Sequence, residues 1–369
     1  GIFLVGGAQD EEGKNFLTND MNLPFATIFT RSGPISLTGN RGSRDSAGIA
    51  FGSPNNTLGP QAATTEARIG FLPDVLPVSI RNSPTASDYE LNSDGNGTTT
   101  TGDITINTDA SIFAVNNEFT DLGIRTSDTG NITLNFSSDN ATLSRTAIDN
   151  SVGAVNSNTG TITLNAKKGS LTLENETRIS NEGNVSINVG NRFTIDNSRI
   201  QTEVRDAEDD LGNININAGE LQLINGGVID TATFAQGTAG DVVINTTGQV
   251  EIDNGRIFSR TEPNSSGSAG NITINGESLT ISNSGFIDNS TLGQGDAGDV
   301  FANISGSISI NNNGRISSTV GFNTNTNSIV QGVVGNGGNI TINGESLKIN
   351  NDLIENATYG VRKEGDILV

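Results

Sequence analysis

A six-residue unit, Gly-x-[Ile/Val]-x-x-Asn, recurs along this chain at a near-constant step, and it limits the fold more than any other feature. It starts at Gly102, Gly130, Gly160, Gly183, Gly212, Gly240, Gly270, Gly298 and Gly338. The steps are 28, 30, 23, 29, 28, 30, 28 and 40 residues, and a further start at Gly365 is cut off at Val369. Self-similarity at such a period marks a chain of stacked supersecondary units, each unable to bury its apolar face alone.

Each unit reads as three short strands. In the copy from Gly270 they are 271–275, 278–282 and 286–289, separated by Gly276, by Asn283-Ser284-Gly285 and by a longer Gly-rich loop. Ile272 and Ile274, then Leu279 and Ile281, alternate with polar residues, and Thr273 and Thr280 fall on the opposite face. That period of two is the signature of a half-buried strand. The copies from Gly212 (Ile214, Ile216, Leu221, Leu223) and Gly338 (Ile340, Ile342, Leu347, Ile349) repeat it, and no helical apolar stripe of useful length occurs. The pattern predicts an all-β fold, a right-handed parallel β-helix (solenoid) of about 28 residues per turn with three strands per turn. Nine turns at a strand spacing of ~4.8 Å span roughly 43 Å. The third positions, Ile104, Ile132, Ile162, Val185, Ile214, Val242, Ile272, Val300 and Ile340, should then form one interior stack.

Composition is consistent with this and excludes several functions. Only 33% of residues are hydrophobic, below the usual range, and a thin solenoid needs only about six inward residues per turn. There is no His, Cys or Trp, so Ser-His-Asp triads, cysteine nucleophiles and the usual zinc or iron–sulfur sites are excluded. Forty-one Asp+Glu against 20 Lys+Arg give a net charge of −21, which repels nucleic acid and anionic lipid. No apolar run is long enough to span a bilayer.

The sixth position is Asn in every copy: Asn107, Asn135, Asn165, Asn188, Asn217, Asn245, Asn275, Asn303 and Asn343. Asn tolerates the left-handed backbone of a sharp corner, and its amide can bond to the Asn one turn above. We therefore expect a structural asparagine ladder at a corner, the alternative being a ligand-binding row of amides. A second Asn follows the next strand at Asn225, Asn254, Asn283, Asn312 and Asn351.

Residues 1–101 form an irregular β region with long polar loops at 39–75 and 82–101. In it Gly33-Pro34-Ile35-Ser36-Leu37 and Pro77-Val78-Ser79-Ile80 resemble first strands of degenerate turns. Residues 102–364 are the nine turns, and 365–369 begin a truncated tenth. Gly1 opens without an initiator Met or leader, so we expect a piece of a longer protein.

Other motifs carry less. Asp206, Glu208, Asp209 and Asp210 beside Arg205 are the acidic cluster an enzyme could use, but in so acidic a chain they read as a solvated loop. With Tyr89 and Tyr359 its only tyrosines, the chain is poorly equipped to stack sugars. No calcium nonapeptide array is present, although loop carboxylates such as Asp296 and Asp299 could hold Ca²⁺ weakly; no cofactor is expected. N-x-[Ser/Thr] at Asn131, Asn184, Asn271 and Asn339 follows from the strand pattern and need not signal glycosylation.

The units GSAGNITINGESLTISNSGFIDNST, from Gly267, and GNGGNITINGESLKINNDLIENAT, from Gly335, resemble the repeats of filamentous haemagglutinin-like exoproteins. They are most similar to cyanobacterial large haemagglutination-domain proteins, over roughly 102–369. The resemblance implies two-partner secretion through an outer-membrane pore, an extracellular or cell-surface location, and a long β-helix acting as adhesin or filament. The family's asparagine-bearing secretion domain is not recognisable in residues 1–101. Possible partners are a glycan or cell-surface receptor and further copies of the chain. The expectation is thus a non-enzymatic structural or adhesive shaft, and the alternative is a carbohydrate-active β-helix enzyme. An enzyme would need Asp, Glu, Arg and Lys clustered on one face of three successive turns, where the copies from Gly270 onward read as Thr, Ser and Asn.

Overall fold

The computed structural model describes residues 131–149, 160–204, 212–234, 236–323, 328–330, 332–350, 352–359 and 363–369, together with the strands lying before residue 131. Among the described residues there is no helix, and so none long and apolar enough to cross a membrane. Three parallel sheets wind as a β-solenoid, and the chain divides into two compact units. One comprises Gly1–Ser180 with Asn188–Asn191, the other Asn181–Ile187 with Arg192–Val369.

In the second unit the first sheet is built from Ile214–Ala218, Val242–Thr246, Ile272–Gly276, Val300–Ile304, Ile340–Asn343 and Ile367–Leu368. The second holds Arg192–Asp196, Glu220–Ile224, Gln249–Asp253, Ser278–Ser282, Ser307–Asn311 and Ser346–Asn350. The third holds Arg199–Val204, Val228–Thr233, Arg256–Thr261, Phe286–Asp288, Arg315–Val320 and Leu353–Thr358. Equivalent motif positions are register partners: Ile214, Val242, Ile272, Val300 and Ile340 pair in sequence, and none has exposed surface. The same holds in the first unit for Ile132 and Ile162. Each buried aliphatic side chain contributes about 1.5–3 kcal/mol, so the column is the main cohesive term between turns.

The motif glycine has a steric origin. A Cβ on Gly298 would lie 1.8 Å from the carbonyl oxygen of Gly270, and one on Gly338 would lie 1.9 Å from that of Gly298. Backbones of successive turns touch here, leaving no room for a side chain. Variation in step length falls outside the strands: the 40-residue step arises at Gly321–Gly337, where Phe322–Asn323 and Ser328–Ile329 form a small antiparallel hairpin.

Before residue 102 the strands Ile2–Gly6 and Ile35–Gly39 join the first sheet, with Ile2, Ile35 and Ile104 in register. Ser79–Asn82 differs from the sequence reading. It lies in the third sheet, where Ile80 pairs with Ile28 and Ile124. The reason is its pattern: third strands carry one inward Ile followed two residues later by a polar side chain, as in Ile229/Thr231 and Ile316/Ser318.

Candidate functional site

The asparagines of the sixth position sit inside first-sheet strands, on the outer side. In the first unit Asn165 donates to Asn135 at 2.8 Å and Asn188 to Asn165 at 3.1 Å. In the second, Asn245 donates to Asn217, Asn275 to Asn245, Asn303 to Asn275 and Asn343 to Asn303, at 2.8–3.1 Å. The backbone of Asn107 is in register with Asn135, and its side chain lies outside the described residues. These bonds run along the solenoid axis, each donor amide reaching the Asn one turn before it.

The corner that the sequence reading gave to this row belongs to the other Asn row. No described sixth-position Asn has a positive φ, whereas Asn225, Asn254, Asn283 and Asn312 have φ of 51–54°. The first strand runs extended through its Asn, and the left-handed conformation is taken at the corner after the second strand. Asn351 lies outside the described residues.

A third row went unread. The residue after the motif glycine accepts, through Oδ1, the backbone N–H of its counterpart one turn on. Asn213 accepts from Asp241, Asp241 from Asn271, Asn271 from Asp299, Asp299 from Asn339 and Asn339 from Asp366, at 2.6–3.0 Å. Asn and Asp alternate, so no two carboxylates are adjacent in the row. The sequence signal was the restriction of this position to Asn or Asp in eight of nine copies, Thr161 being the exception.

The outer face of the third sheet departs from the expectation of Thr, Ser and Asn. Ile229, Ile257, Ile287 and Ile316 fill the interior, so residues on either side of them point outward. One outward column, taken by register, reads Arg199, Val228, Arg256, Phe286, Arg315, Leu353. The next reads Asp230, Phe258, Asp288, Ser317, Glu355. Asp230 and Asp288 are only 5% and 2% exposed. Asp230 lies 3.3 Å from the Arg199 guanidinium and 3.9 Å from that of Arg260, which also pairs with Glu262 at 2.8 Å. Burial by itself would lower the pKa of Arg260, but Asp230, Glu262 and Asp288 outweigh it and hold the pKa above the ordinary guanidinium value. Arg260 also lies 4.2 Å from the Phe258 ring centroid, and Phe258 meets Phe286 edge to face.

Further along, Arg315 pairs with Glu355 and lies between the Phe286 and Phe322 rings, 5.6 Å from each centroid. Phe322 stacks on Tyr359, whose hydroxyl donates to Glu355. Partial burial first, and then the Glu355 carboxylate, raise the Tyr359 pKa despite Arg315. The segment after Gly321 is thus pinned to the sheet through Phe322. Chemically the face offers guanidinium donors over buried aromatic rings; of its buried carboxylates, Asp230 is engaged by Arg199 and Arg260, and Asp288 accepts from the Ser290 hydroxyl. The signal for it was a recurring dipeptide before each inward Ile: Arg-Ile, Val-Ile, Arg-Ile, Phe-Ile, Arg-Ile, Leu-Ile.

Arg205, Asp206, Glu208, Asp209 and Asp210 lie outside the described residues. Asp296 and Asp299 accept backbone N–H groups of Asn336 and Asn339, which is a cap to the next turn. Among the described residues no three acidic side chains converge to hold a metal ion. In comparisons with known proteins, no family model, no curated protein and no solved structure matches the chain.

Proposed function

We propose that this chain is a stretch of a secreted structural or adhesive shaft, exported through an outer-membrane pore in the manner of filamentous haemagglutinin-like exoproteins and held at the cell surface. The observation that carries the reading is the interchangeability of the turns. The same side chains make the same bonds from turn to turn, in the Asn ladder and the Asn/Asp row alike. Such a body extends by adding turns and holds its length, as a shaft must. The test is adhesion of the purified chain to cells and its assembly into fibres. Adhesion or fibres are expected, and a chain that neither adheres nor assembles contradicts the reading.

The carbohydrate-active alternative is favoured by one observation, the acidic and basic side chains gathered on the outer face of the third sheet. Against it, Asp230 is buried against Arg199 and Arg260, and Asp288 is buried with the Ser290 hydroxyl on it, where general acid–base work would need an accessible, proton-exchanging group. Release of reducing or unsaturated ends from acidic or neutral polysaccharides, abolished by Asp288→Asn, would establish the enzyme.

A further inference from the structure

We infer that the column Arg199, Val228, Arg256, Phe286, Arg315, Leu353 is a docking track for a linear acidic polysaccharide whose charged and neutral sugars alternate. This rests on the adhesive reading and gives it a ligand class. Cation and apolar residue alternate strand by strand, so the guanidinium groups recur every second strand, about 9.6 Å apart. A β-linked pyranose advances a chain by about one strand spacing. A polymer carrying a carboxylate on every other sugar therefore presents its anions at the arginine period and its neutral rings to Val228, to the narrow exposed edge of the buried Phe286, and to Leu353.

Charge supports the same occupant. The chain carries −21 overall, yet of its six Lys and Arg beyond Gly212, Arg256, Arg260 and Arg315 all lie on this face. Arg256 is exposed and makes no ion pair among the described residues, so its whole donor fork is open to a carboxylate. Arg199 gives one terminal nitrogen to Asp230 and the other to Gln201, and Arg315 gives one to Glu355 with its Nε buried; each keeps N–H donors on its terminal nitrogens beyond these. The nearest acids are already neutralised: Asp230 and Asp288 are buried, Asp230 pairs with Arg199 and Arg260, Glu262 with Arg260, and Glu355 with Arg315. Phe258 and Phe286 back the track with a rigid aromatic floor.

The experiment is calorimetric titration of the full chain with hyaluronan fragments, in which a carboxylated sugar alternates with a neutral one. Polygalacturonate, charged on every sugar, and neutral dextran are the comparators. The expected result is binding to hyaluronan that weakens with salt and exceeds both comparators. Arg256→Gln should lower that affinity roughly fivefold, an exposed charge contact's share, while Lys348→Gln on the second sheet leaves it unchanged. Unaltered thermal unfolding of Arg256→Gln would establish that the loss is not misfolding. No hyaluronan binding, equal binding of a comparator, or an unaffected Arg256→Gln would overturn the inference. If the chain still adheres to cells and hyaluronan does not compete, the docking track falls while the adhesive reading stands.

Discussion

Replacing Asn245 by Leu removes one rung from the asparagine ladder of the second unit. The amide donates to Asn217 at 3.1 Å and accepts from Asn275 at 2.8 Å. Each such bond is worth about 0.5–1.5 kcal/mol net, and this row is partly exposed, so the lower half of that range applies. The loss is about 1–2 kcal/mol, a factor of roughly 5–30 in a local opening equilibrium. In a solenoid each turn touches only its neighbours, so the effect should stay near the lesion. Hydrogen exchange followed by mass spectrometry resolves this. Peptides containing Ile214–Ala218, Val242–Thr246 and Ile272–Gly276 should exchange faster, while the peptide containing Ile340–Asn343 keeps its protection. Unchanged exchange in the three strands, or uniform loosening of every turn, would refute the reasoning.

Gly298→Ala places a Cβ 1.8 Å from the Gly270 carbonyl oxygen and 2.6 Å from Asn289 Nδ2, and should cost about 3 kcal/mol or more, read as a lowered denaturation midpoint. Ile272→Asp puts an unpaired carboxylate between Val242 and Val300, with a cost on the order of 4–5 kcal/mol that should appear as loss of the folded circular-dichroism signal. In a Tyr89→Phe background, ultraviolet titration should show Tyr359 ionising above the ordinary tyrosine value, and Glu355→Gln should lower it. The sign follows from linkage: a raised folded pKa gives stability that is complete below the unfolded pKa of about 10 and lost as pH rises through the folded value.

The first two strands of each turn were legible because their chemistry is local. Ile272/Ile274 and Leu279/Ile281 alternate with polar neighbours, and the fixed step then dictates which residues stack. The third strand was harder to read. It carries one inward Ile, and its remaining interior positions are polar: Thr231, Ser259, Asn289 and Ser318 are buried. Thr231 and Ser259 bond to the Gly240 carbonyl, Asn289 to that of Asp299 and Ser318 to that of Gly298. These bonds reach the start of the strand's own turn or of the next, which no window along one strand reveals. For the same reason Ser79–Asn82 was misread as a first strand. The Arg, Phe and Asp side chains on the outer third-sheet face are scattered through the sequence and converge only when turns of 28–30 residues are laid in register. The Asn ladder was visible as repetition, but its place in the strand depended on which of two Asn rows takes the left-handed turn.

Cysteine cross-linking tests the central claim most directly, since the chain has no Cys of its own. Val243 and Thr273 are register partners on adjacent turns, and Phe301 is the next partner after Thr273. The outward side chains of Val243 and Thr273 lie one strand spacing apart, about 4.8 Å, within reach of a disulfide; Val243 and Phe301 are about 9.6 Å apart, beyond it. The account predicts that the double variant Val243→Cys/Thr273→Cys oxidises to an intramolecular disulfide without loss of fold, while Val243→Cys/Phe301→Cys stays reduced. Oxidation of the second pair in preference to the first would contradict the stacking of these turns.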